Sequence, residues 1–365
     1  MYPALAVLER LNAKFKDVQT LWVGGEGGME AGLVASVAST ASTTSAGIAF
    51  EAIPAAGLHG VGLRALPGNF WRLVHGFFAA RRLLRQFRPE VLFFTGGYVA
   101  APVALAGWRV PTALFIPDIE PGLALKALTR FADRIAITAA DSQQFFPRRA
   151  ERLVETGYPV RHDLINWDRS KAQAALGLQA DLPTLLVFGG SKGARSINRA
   201  LFAALPDLLA KMQIVHISGT ANWEEAEAAR DKLAPHLASR YHAHPYLHDE
   251  MGAALAAADL VVARGGASTL GEFPVFGLPA ILVPYPYAWR YQKVNADYLA
   301  QREAAVILSD DELPQKLAHL VRELMQDANR RQKMSTAMRA LARPDAAAAI
   351  AEILHQLAQQ SNHLE

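Results

Sequence analysis

The sequence predicts an α/β protein with parallel β-sheets, organised as two doubly wound, Rossmann-like domains. Short runs of branched apolar residues alternate with helical patterns, and strands joined by helices form parallel sheets with right-handed crossovers. The chain has 365 residues, and 51% of them are hydrophobic. Its length exceeds the usual size of a domain with one hydrophobic core. We therefore expect two such domains facing each other across a cleft, with ligands at the carboxyl ends of the strands.

The expected strands follow in chain order. They lie at residues 20–23, 91–94, 112–116, 134–138, 184–188, 214–218, 260–263 and 280–284. The alternation pauses between residues 157 and 183, so we place a domain boundary near Gly157, with domains at 1–157 and 158–342. Helices are expected at 315–325 and 330–342; Pro344 then breaks the pattern, and Asp345 caps a final amphipathic helix to about Leu357, within a C-terminal segment 343–365.

Composition excludes several classes of function. The chain has no cysteine, which excludes disulfides, thiolate metal sites and a cysteine nucleophile. Its net charge of +3 gives no reason to expect a nucleic-acid partner. No His, Asp and Glu spacing suggests a metal site, and we expect no metal or cofactor. The apolar stretch 91–116 is interrupted by Gly96, Gly97 and Pro102, so we interpret it as strand, turn, helix and strand, with a membrane-spanning helix as the alternative.

The segment 264–272 (RGGASTLGE) carries the most chemical information. It follows a predicted strand, and a helix is expected to begin near Ser268. Free N–H groups at a helix N-terminus suit a diphosphate, and Glu272 can accept both hydroxyls of a ribose through its two oxygens. The combination suggests a nucleotide-sugar site. The alternative is a plain capped helix with a surface glutamate.

Two further glycine-rich turns follow predicted strands. Residues 188–194 (FGGSKGA) contain Gly190 and Ser191, which are placed to contact phosphate or acceptor, although the spacing is not that of a P-loop. Residues 95–102 (TGGYVAAP) contain Gly96, Gly97 and Tyr98 in the first domain. Together these turns would line a cleft from both sides; the alternative is tight turns that only allow close helix-on-sheet packing.

The predicted helix over residues 70–88 combines aromatic residues with arginines. Its candidate membrane residues are Phe70, Trp71, Arg72, Phe77, Phe78, Arg81 and Arg82. Such a helix can bury its apolar face in lipid while its cations meet anionic headgroups. We expect contact with an anionic membrane surface, although a helix packed on the sheet with solvated arginines would explain most of the pattern.

Arg161 and three histidines complete the set of candidate residues. A single arginine is usually solvated, but Arg161 follows the expected domain boundary, where a closing cleft would bring it to a diphosphate. His242, His244 and His248 are interpreted as loop histidines.

These motifs together resemble the MurG family, peripheral membrane glycosyltransferases that move N-acetylglucosamine (GlcNAc) from UDP-GlcNAc onto lipid I, making lipid II for peptidoglycan. The resemblance covers nearly the whole chain. It rests on residues 2–6, 96–98, 158–161, 189–194, 246–249 and 264–272, and on Gln292 and Asn295. It implies a GT-B fold, inversion at the anomeric carbon, a last helix that crosses back to the first domain, and a place on the cytoplasmic face of the cell membrane.

The resemblance also implies roles for individual residues. Glu272 would hold the ribose, Arg161 and Ser191 would lie near the diphosphate, and Gln292 and Asn295 would contact the sugar. The backbone of Ala267, Ser268, Thr269, Leu270 and Gly271 would meet phosphate and ribose. His248 or Leu247 would lie against uracil. Gly96, Gly97, Tyr98 and Gly190 would line the acceptor side of the cleft.

The chain departs from the family pattern in two places. The family begins with a strand and a Gly-Gly-Thr-Gly-Gly-His turn, which carries its candidate general base, just before the residue matched by Met1; we therefore expect the coding sequence to begin upstream. Residues 115–118 (FIPD) stand where the family usually has His-Glu-Gln-Asn. Asp118 thus replaces an asparagine that meets the donor sugar, and it is a poor substitute for the missing base.

Our hypothesis is an inverting transfer of GlcNAc. A deprotonated acceptor hydroxyl attacks the anomeric carbon while Arg161 and the turns at Ser268 and Ser191 stabilise the departing UDP. One alternative is a lipid glycosyltransferase with another acceptor, such as a diacylglycerol or another polyprenyl lipid. Another is a catalytically silent paralogue that binds UDP-sugar. A UDP-GlcNAc 2-epimerase would share the fold but would leave the aromatic and arginine-rich helix without a role.

Overall fold

The computed structural model describes residues 1–27, 48–56, 66–190, 193–286 and 291–362. It contains two compact units. The first comprises Met1–Pro117, Pro121–Pro159 and Asp345–Glu365, and the second comprises Asp118–Glu120 and Val160–Pro344. Every strand pairing in the described residues is parallel, as the alternation of strands and helices predicts.

The described residues of the first unit form two parallel sheets. Strands β1 (Leu21–Gly25) and β2 (Ala49–Ile53) form one. The other has the order β3-β4-β5-β6, with β3 at Leu92–Phe94, β4 at Thr112–Ile116, β5 at Arg134–Ile137 and β6 at Leu153–Glu155. Every residue of β4 is buried, which is why its sequence is almost continuously apolar. The strand that the resemblance places before Met1 stays a prediction.

Helices cover the sheets in the described part of the first unit. They are α1 (Tyr2–Lys14), α2 (Leu66–Phe87), α3 (Ala100–Ala106), α4 (Leu123–Leu128) and the C-terminal helix (Ala346–Asn362), with 3-10 turns at Ala140–Phe145 and Ala150–Arg152. The C-terminal helix packs on α1, where Lys14 pairs with Glu352 at 2.6 Å and Phe15 stacks on His355. None of the helices in the described part of the chain has the length and hydrophobicity needed to cross a bilayer.

The second unit is built on a six-stranded parallel sheet of order β12-β11-β10-β7-β8-β9. Its strands are β7 (Thr184–Phe188), β8 (Gln213–Ile217), β9 (Tyr241–His244), β10 (Leu260–Ala263), β11 (Ala280–Leu282) and β12 (Ala305–Ile307). Buried side chains such as Leu185 and Val262 pack against Ile197 and Leu201 of the helix that follows β7. The carboxyl ends of these strands carry all the glycine-rich turns predicted in this half.

The helices of the second unit run from α5 to α14. They are α5 (His162–Ile165), α6 (Arg169–Ala175), α7 (Arg195–Leu209), α8 (Trp223–Asp231), α9 (Pro235–Ala238), α10 (Met251–Ala257), α11 (Glu272–Phe276), α12 (Tyr291–Ala300), α13 (Leu313–Gln326) and α14 (Ala328–Ala340). Further 3-10 turns lie at Thr220–Asn222 and Ala267–Leu270.

The prediction that a helix begins near Ser268 is wrong. The structure has the 3-10 turn Ala267–Leu270 there, and α11 begins only at Glu272. Pro274 explains the difference, because in a helix continuous from Ser268 its ring would clash with the carbonyl of Leu270. In the first turn of α11 it is tolerated, since its missing N–H would have no helical partner there.

Candidate functional site

Glu272 is the centre of the candidate site. Its side chain is half-buried at the start of α11. Burial raises the pKa of the Glu272 carboxyl to about 7, while the charge of Arg161 and a hydrogen bond with Ser268 lower it. The structure thus brings together three of the predicted residues, Arg161, Ser268 and Glu272. The Glu272 carboxyl changes its charge near neutral pH. This geometry does not fit the alternative of a plain surface glutamate.

Arg161 stands at the beginning of α5, where it is the N-cap residue. Its guanidinium lies 3.1 Å from the Asp163 carboxylate, and the Arg161 side chain is 24% exposed. The cation is therefore held by its own helix while its positive charge acts on Glu272. An arginine in this position can also interact with an anionic ligand next to that carboxyl.

The turn that precedes Glu272 is held by internal hydrogen bonds. The Thr269 hydroxyl donates to the Gly266 carbonyl at 2.7 Å, and the backbone N–H groups of Thr269 and Gly271 donate within the same turn. Gly265 permits a close approach of α12, because a Cβ there would lie 2.4 Å from the carbonyl oxygen of Gln292. Phosphate contacts by the backbone of residues 267–271 stay a prediction; Thr269 and Gly271 already use their amides inside the turn.

A partly buried network that the sequence did not reveal fixes the base of this turn. The Arg264 side chain, 10% exposed, forms an ion pair with Asp310. It also donates to the Ser196 hydroxyl at 2.8 Å and to the Val283 carbonyl at 3.1 Å, and Ser196 donates to Asp310 at 2.8 Å. These bonds connect β10, β11 and the start of α7. Asp310 and Ser196 are 46 and 68 residues from Arg264 in sequence, so no spacing signals them.

Asn295 is held by three hydrogen bonds within the second unit, and its predicted contact with the sugar stays a prediction. Its fully buried amide donates to the Asp118 carboxylate at 2.8 Å and to the Gly265 carbonyl at 3.1 Å, and its oxygen accepts the Ile119 N–H at 3.0 Å. Both amide hydrogens of Asn295 are used in these bonds. One of the bonds would have to break before the amide could donate a hydrogen bond to the sugar. Asn295 connects residues 118–119 to the end of β10.

Asp118 and Gln292 are likewise held by hydrogen bonds. Burial raises the pKa of the Asp118 carboxyl, and the hydrogen bond from Asn295 lowers it. The Gln292 side-chain oxygen accepts the Tyr285 N–H at 2.9 Å. A contact of Gln292 with the sugar stays a prediction.

The glycine turn after β7 requires its glycines. Gly190 has φ of +85° and Gly193 has φ of +72°, conformations that L side chains rarely adopt. A Cβ at Gly189 would lie 2.2 Å from the Ala194 nitrogen. Ser191, the predicted phosphate contact, lies outside the described residues.

The end of β9 carries the histidines. His242 and His244 belong to this strand and not to a loop, which corrects the sequence interpretation. Their Nε2 atoms are buried without a hydrogen-bond partner, and burial lowers the pKa of both rings. Further along, Leu247 is buried, whereas His248 is exposed with its ring 4.5 Å from that of Tyr246. A uracil contact at either residue stays a prediction.

In the first unit, the predicted acceptor turn also depends on glycine. Gly96 and Gly97 have φ of +116° and +91°, and the side chain of Tyr98 that follows them is 59% exposed. The proposal that these residues and Gly190 line one cleft stays a prediction.

Helix α2 has the strongly exposed aromatic face that the sequence predicts. Phe70, Trp71 and Phe78 are 57%, 62% and 61% exposed. Arg72, Arg81 and Arg82 are exposed and Phe77 is half-buried. The opposite side packs closely, because a Cβ at Gly76 would lie 2.1 Å from the Pro54 carbonyl oxygen.

Sequence reasoning missed a second exposed apolar group next to α2. Helix α3 packs on α2. Leu105 in α3 and Trp108 just after it are 51% and 63% exposed, and the Arg109 guanidinium lies 4.6 Å from the Trp108 ring. The available signal was an aromatic residue beside an arginine, as in α2. Among the described residues, no group of three or more side chains is arranged to hold a metal ion.

Comparisons with known proteins agree with this architecture. The model of the glycosyltransferase family 28 N-terminal domain matches residues 1–137, and that of its C-terminal domain matches residues 184–350. The UDP-N-acetylglucosamine--N-acetylmuramyl-(pentapeptide) pyrophosphoryl-undecaprenol N-acetylglucosamine transferase of Roseiflexus sp. (strain RS-1) is 41% identical, over 98% of this chain and 92% of that protein.

Solved structures give the same result. The crystal structure of Acinetobacter baumannii MurG superposes with a TM-score of 0.73 at 26% identity, over 97% of this chain and 95% of that one. UDP-GlcNAc 2-epimerase from Neisseria meningitidis, bound to UDP-GlcNAc, has a TM-score of 0.68 at 11% identity, over 97% and 96% of the two chains, which shows a common fold alone. The predicted GT-B architecture is therefore confirmed, and the chain belongs to the MurG family of glycosyltransferases.

Proposed function

We propose that this protein transfers GlcNAc from UDP-GlcNAc to lipid I, with inversion at the anomeric carbon, and so forms lipid II for peptidoglycan synthesis. The cluster of Arg161, Ser268 and Glu272 is the observation that carries the proposal. Sequence comparison also supports the proposal, because the chain is 41% identical to a transferase whose name states this donor and a lipid-linked acceptor.

The donor half of the reaction depends on charge complementarity. An ionised Glu272 accepts hydrogen bonds from the two ribose hydroxyls, because a carboxylate has only acceptors and two oxygens to offer. Arg161 supplies a positive charge beside it and offsets the charge that develops on the departing UDP. The turn at Ser268 adds backbone dipoles to that stabilisation.

The acceptor half requires that a hydroxyl lose its proton as it attacks. A general base works best when its pKa lies near the working pH. Burial raises the pKa of Asp118 in that direction. However, its carboxylate already accepts a hydrogen bond from Asn295, so Asp118 is a poor base unless that bond is released.

The acceptor is a membrane lipid, and α2 is the surface that we assign to the membrane. Its exposed aromatic residues enter the interface while Arg72, Arg81 and Arg82 meet anionic headgroups. Leu105 and Trp108 extend the same apolar surface. The resulting location is peripheral, on the cytoplasmic face of the cell membrane.

A transfer assay tests the proposed function. The protein, expressed with any in-frame codons upstream of Met1, is mixed with radiolabelled UDP-GlcNAc and with lipid I, a diacylglycerol or another polyprenyl phosphate lipid in separate reactions. We expect label in lipid II only, and its loss in an Arg161→Ala variant. Transfer to a different acceptor, or binding of UDP-GlcNAc without transfer to any of them, would overturn the proposal.

A further inference from the structure

A small cavity in the first unit lies outside every site described above. It has a volume of about 220 Å³ and lies between the end of α4 and the residues that follow the 3-10 turn Ala140–Phe145. Its charged lining residues are all cations, namely Lys126, Arg130, Arg148 and Arg149. We propose that this cavity binds a phosphate group, carried either by a lipid headgroup or by a soluble phosphate compound.

Two of the four cations are held in place by the surrounding chain. The Arg149 guanidinium donates a hydrogen bond to the carbonyl of Thr129. This bond uses one of the five N–H donors of the guanidinium. The Lys126 ammonium lies 5.3 Å from the centre of the Phe145 ring, a cation–π distance. Side chains that are already ordered lose less entropy when a ligand binds. The cavity is therefore partly organised for an anion before the anion arrives.

The size of the cavity indicates what kind of anion it takes. A volume of about 220 Å³ is several times the roughly 30 Å³ that one water occupies in the liquid. It is smaller than the range of about 300–1,000 Å³ that is usual for drug-sized ligands. A single phosphate group fits this volume.

The distribution of charged residues around the cavity also favours an anion. Nearby in sequence, the Asp133 carboxylate accepts the Thr112 N–H at 2.8 Å, and Glu151 lies 3.7 Å from Arg152. Neither of these two carboxylates lines the cavity. Arginines with planar, forked donors suit phosphate oxygens in particular.

The lining residues of the cavity differ from the residues assigned to the transfer reaction and to the membrane surface. They belong neither to α2 nor to the second unit. Arg130 and Arg148 are exposed, so glutamine at these positions removes two charges without opening a core. A double Lys16→Gln and Arg134→Gln variant is the matched control, because both residues are exposed cations of the first unit outside the cavity.

The first arm of the test uses inorganic phosphate. The protein, labelled for NMR, is titrated with sodium phosphate against sodium chloride of equal ionic strength, and the backbone amide signals of Thr129 and Arg149 are followed. We expect saturable shifts with phosphate. Because charge-assisted hydrogen bonds are lost, the double Arg130→Gln and Arg148→Gln variant should bind about tenfold more weakly. The control variant should stay within about twofold of the unchanged protein.

The second arm identifies the source of the phosphate. Vesicles of phosphatidylcholine containing phosphatidic acid are compared with vesicles containing oleate, which supplies carboxylate charge instead. A lipid source predicts that the cavity variant loses binding to the phosphatidic acid vesicles alone, and more than the control does. A soluble source predicts equal vesicle binding by both variants together with the difference in the phosphate titration. The proposal is wrong if phosphate gives no saturable response, or if both variants lose phosphate affinity equally.

Discussion

Replacing Glu272 with glutamine should stabilise the protein above neutral pH while weakening its binding of UDP-GlcNAc. The pKa of this carboxyl is about 7 in the folded protein against an ordinary value of 4.5. Because the folded value is the higher one, folding favours the protonated form, and the stability that this gives is lost as the pH rises through about 7. Glutamine resembles the protonated acid at every pH, so its advantage grows between about pH 4.5 and pH 7 and is constant at higher pH.

The size of the effect follows from the two pKa values. The difference between about 7 and 4.5 corresponds to at most ~3 kcal/mol. The side chain is only half-buried, and solvent screening reduces this to about 1–2 kcal/mol. For a unit of this size, that is a rise in Tm of about 2–8 °C for the Glu272→Gln variant at pH 8, and a smaller rise at pH 6. Differential scanning calorimetry at both pH values measures it.

A Glu227→Gln variant is the control, because it makes the same chemical change at another position of the second unit. It should leave Tm nearly unchanged at both pH values. If Glu272→Gln lowers Tm, or raises it by the same amount at pH 6 and pH 8, then Glu272 does not carry the unfavourable charge that the structure assigns to it, and the reasoning is refuted.

Three further predictions concern the donor, the fold and the membrane. The affinity for UDP-GlcNAc, whose diphosphate does not titrate near neutrality, should rise about tenfold from pH 6 to pH 8 as Glu272 ionises, and calorimetry of the Glu272→Gln variant should show weaker binding without this rise. Asp310→Ala should destabilise the second unit by about 3–5 kcal/mol in chemical denaturation, because Arg264 loses its partner in a largely buried site; a loss under 1 kcal/mol would contradict the buried network. Replacing Trp71 and Phe78 together by alanine should reduce sedimentation with anionic vesicles at least about tenfold without changing Tm; unchanged sedimentation would remove α2 from the membrane surface.

The strands that carry the candidate site were predictable because they are buried on both faces. β7 and β10 are continuous apolar runs, and their parallel pairing brings their terminal turns to one edge of the sheet. Strands β2 and β6 gave no such signal, since β2 is mostly exposed and β6 has only three residues, none of them buried. β9 contains two histidines among its four residues, so its composition suggested a loop.

The hydrogen-bond partners within the site could not be predicted. Asn295 and Asp118 are 177 residues apart, and Arg264 and Asp310 are 46 apart. Local pattern contains no information about which distant polar groups share a buried space. The sequence therefore indicated the kind of chemistry at Glu272, but not that Asn295 is already occupied by Asp118 and Gly265.

A crystal structure of the protein with UDP-GlcNAc tests the central claim most directly. We expect the two ribose hydroxyls to lie within hydrogen-bond distance of the Glu272 carboxylate, at about 2.5–3.0 Å between oxygens, with Arg161 next to the diphosphate. A nucleotide bound elsewhere, or bound with its ribose turned away from Glu272, would contradict the account.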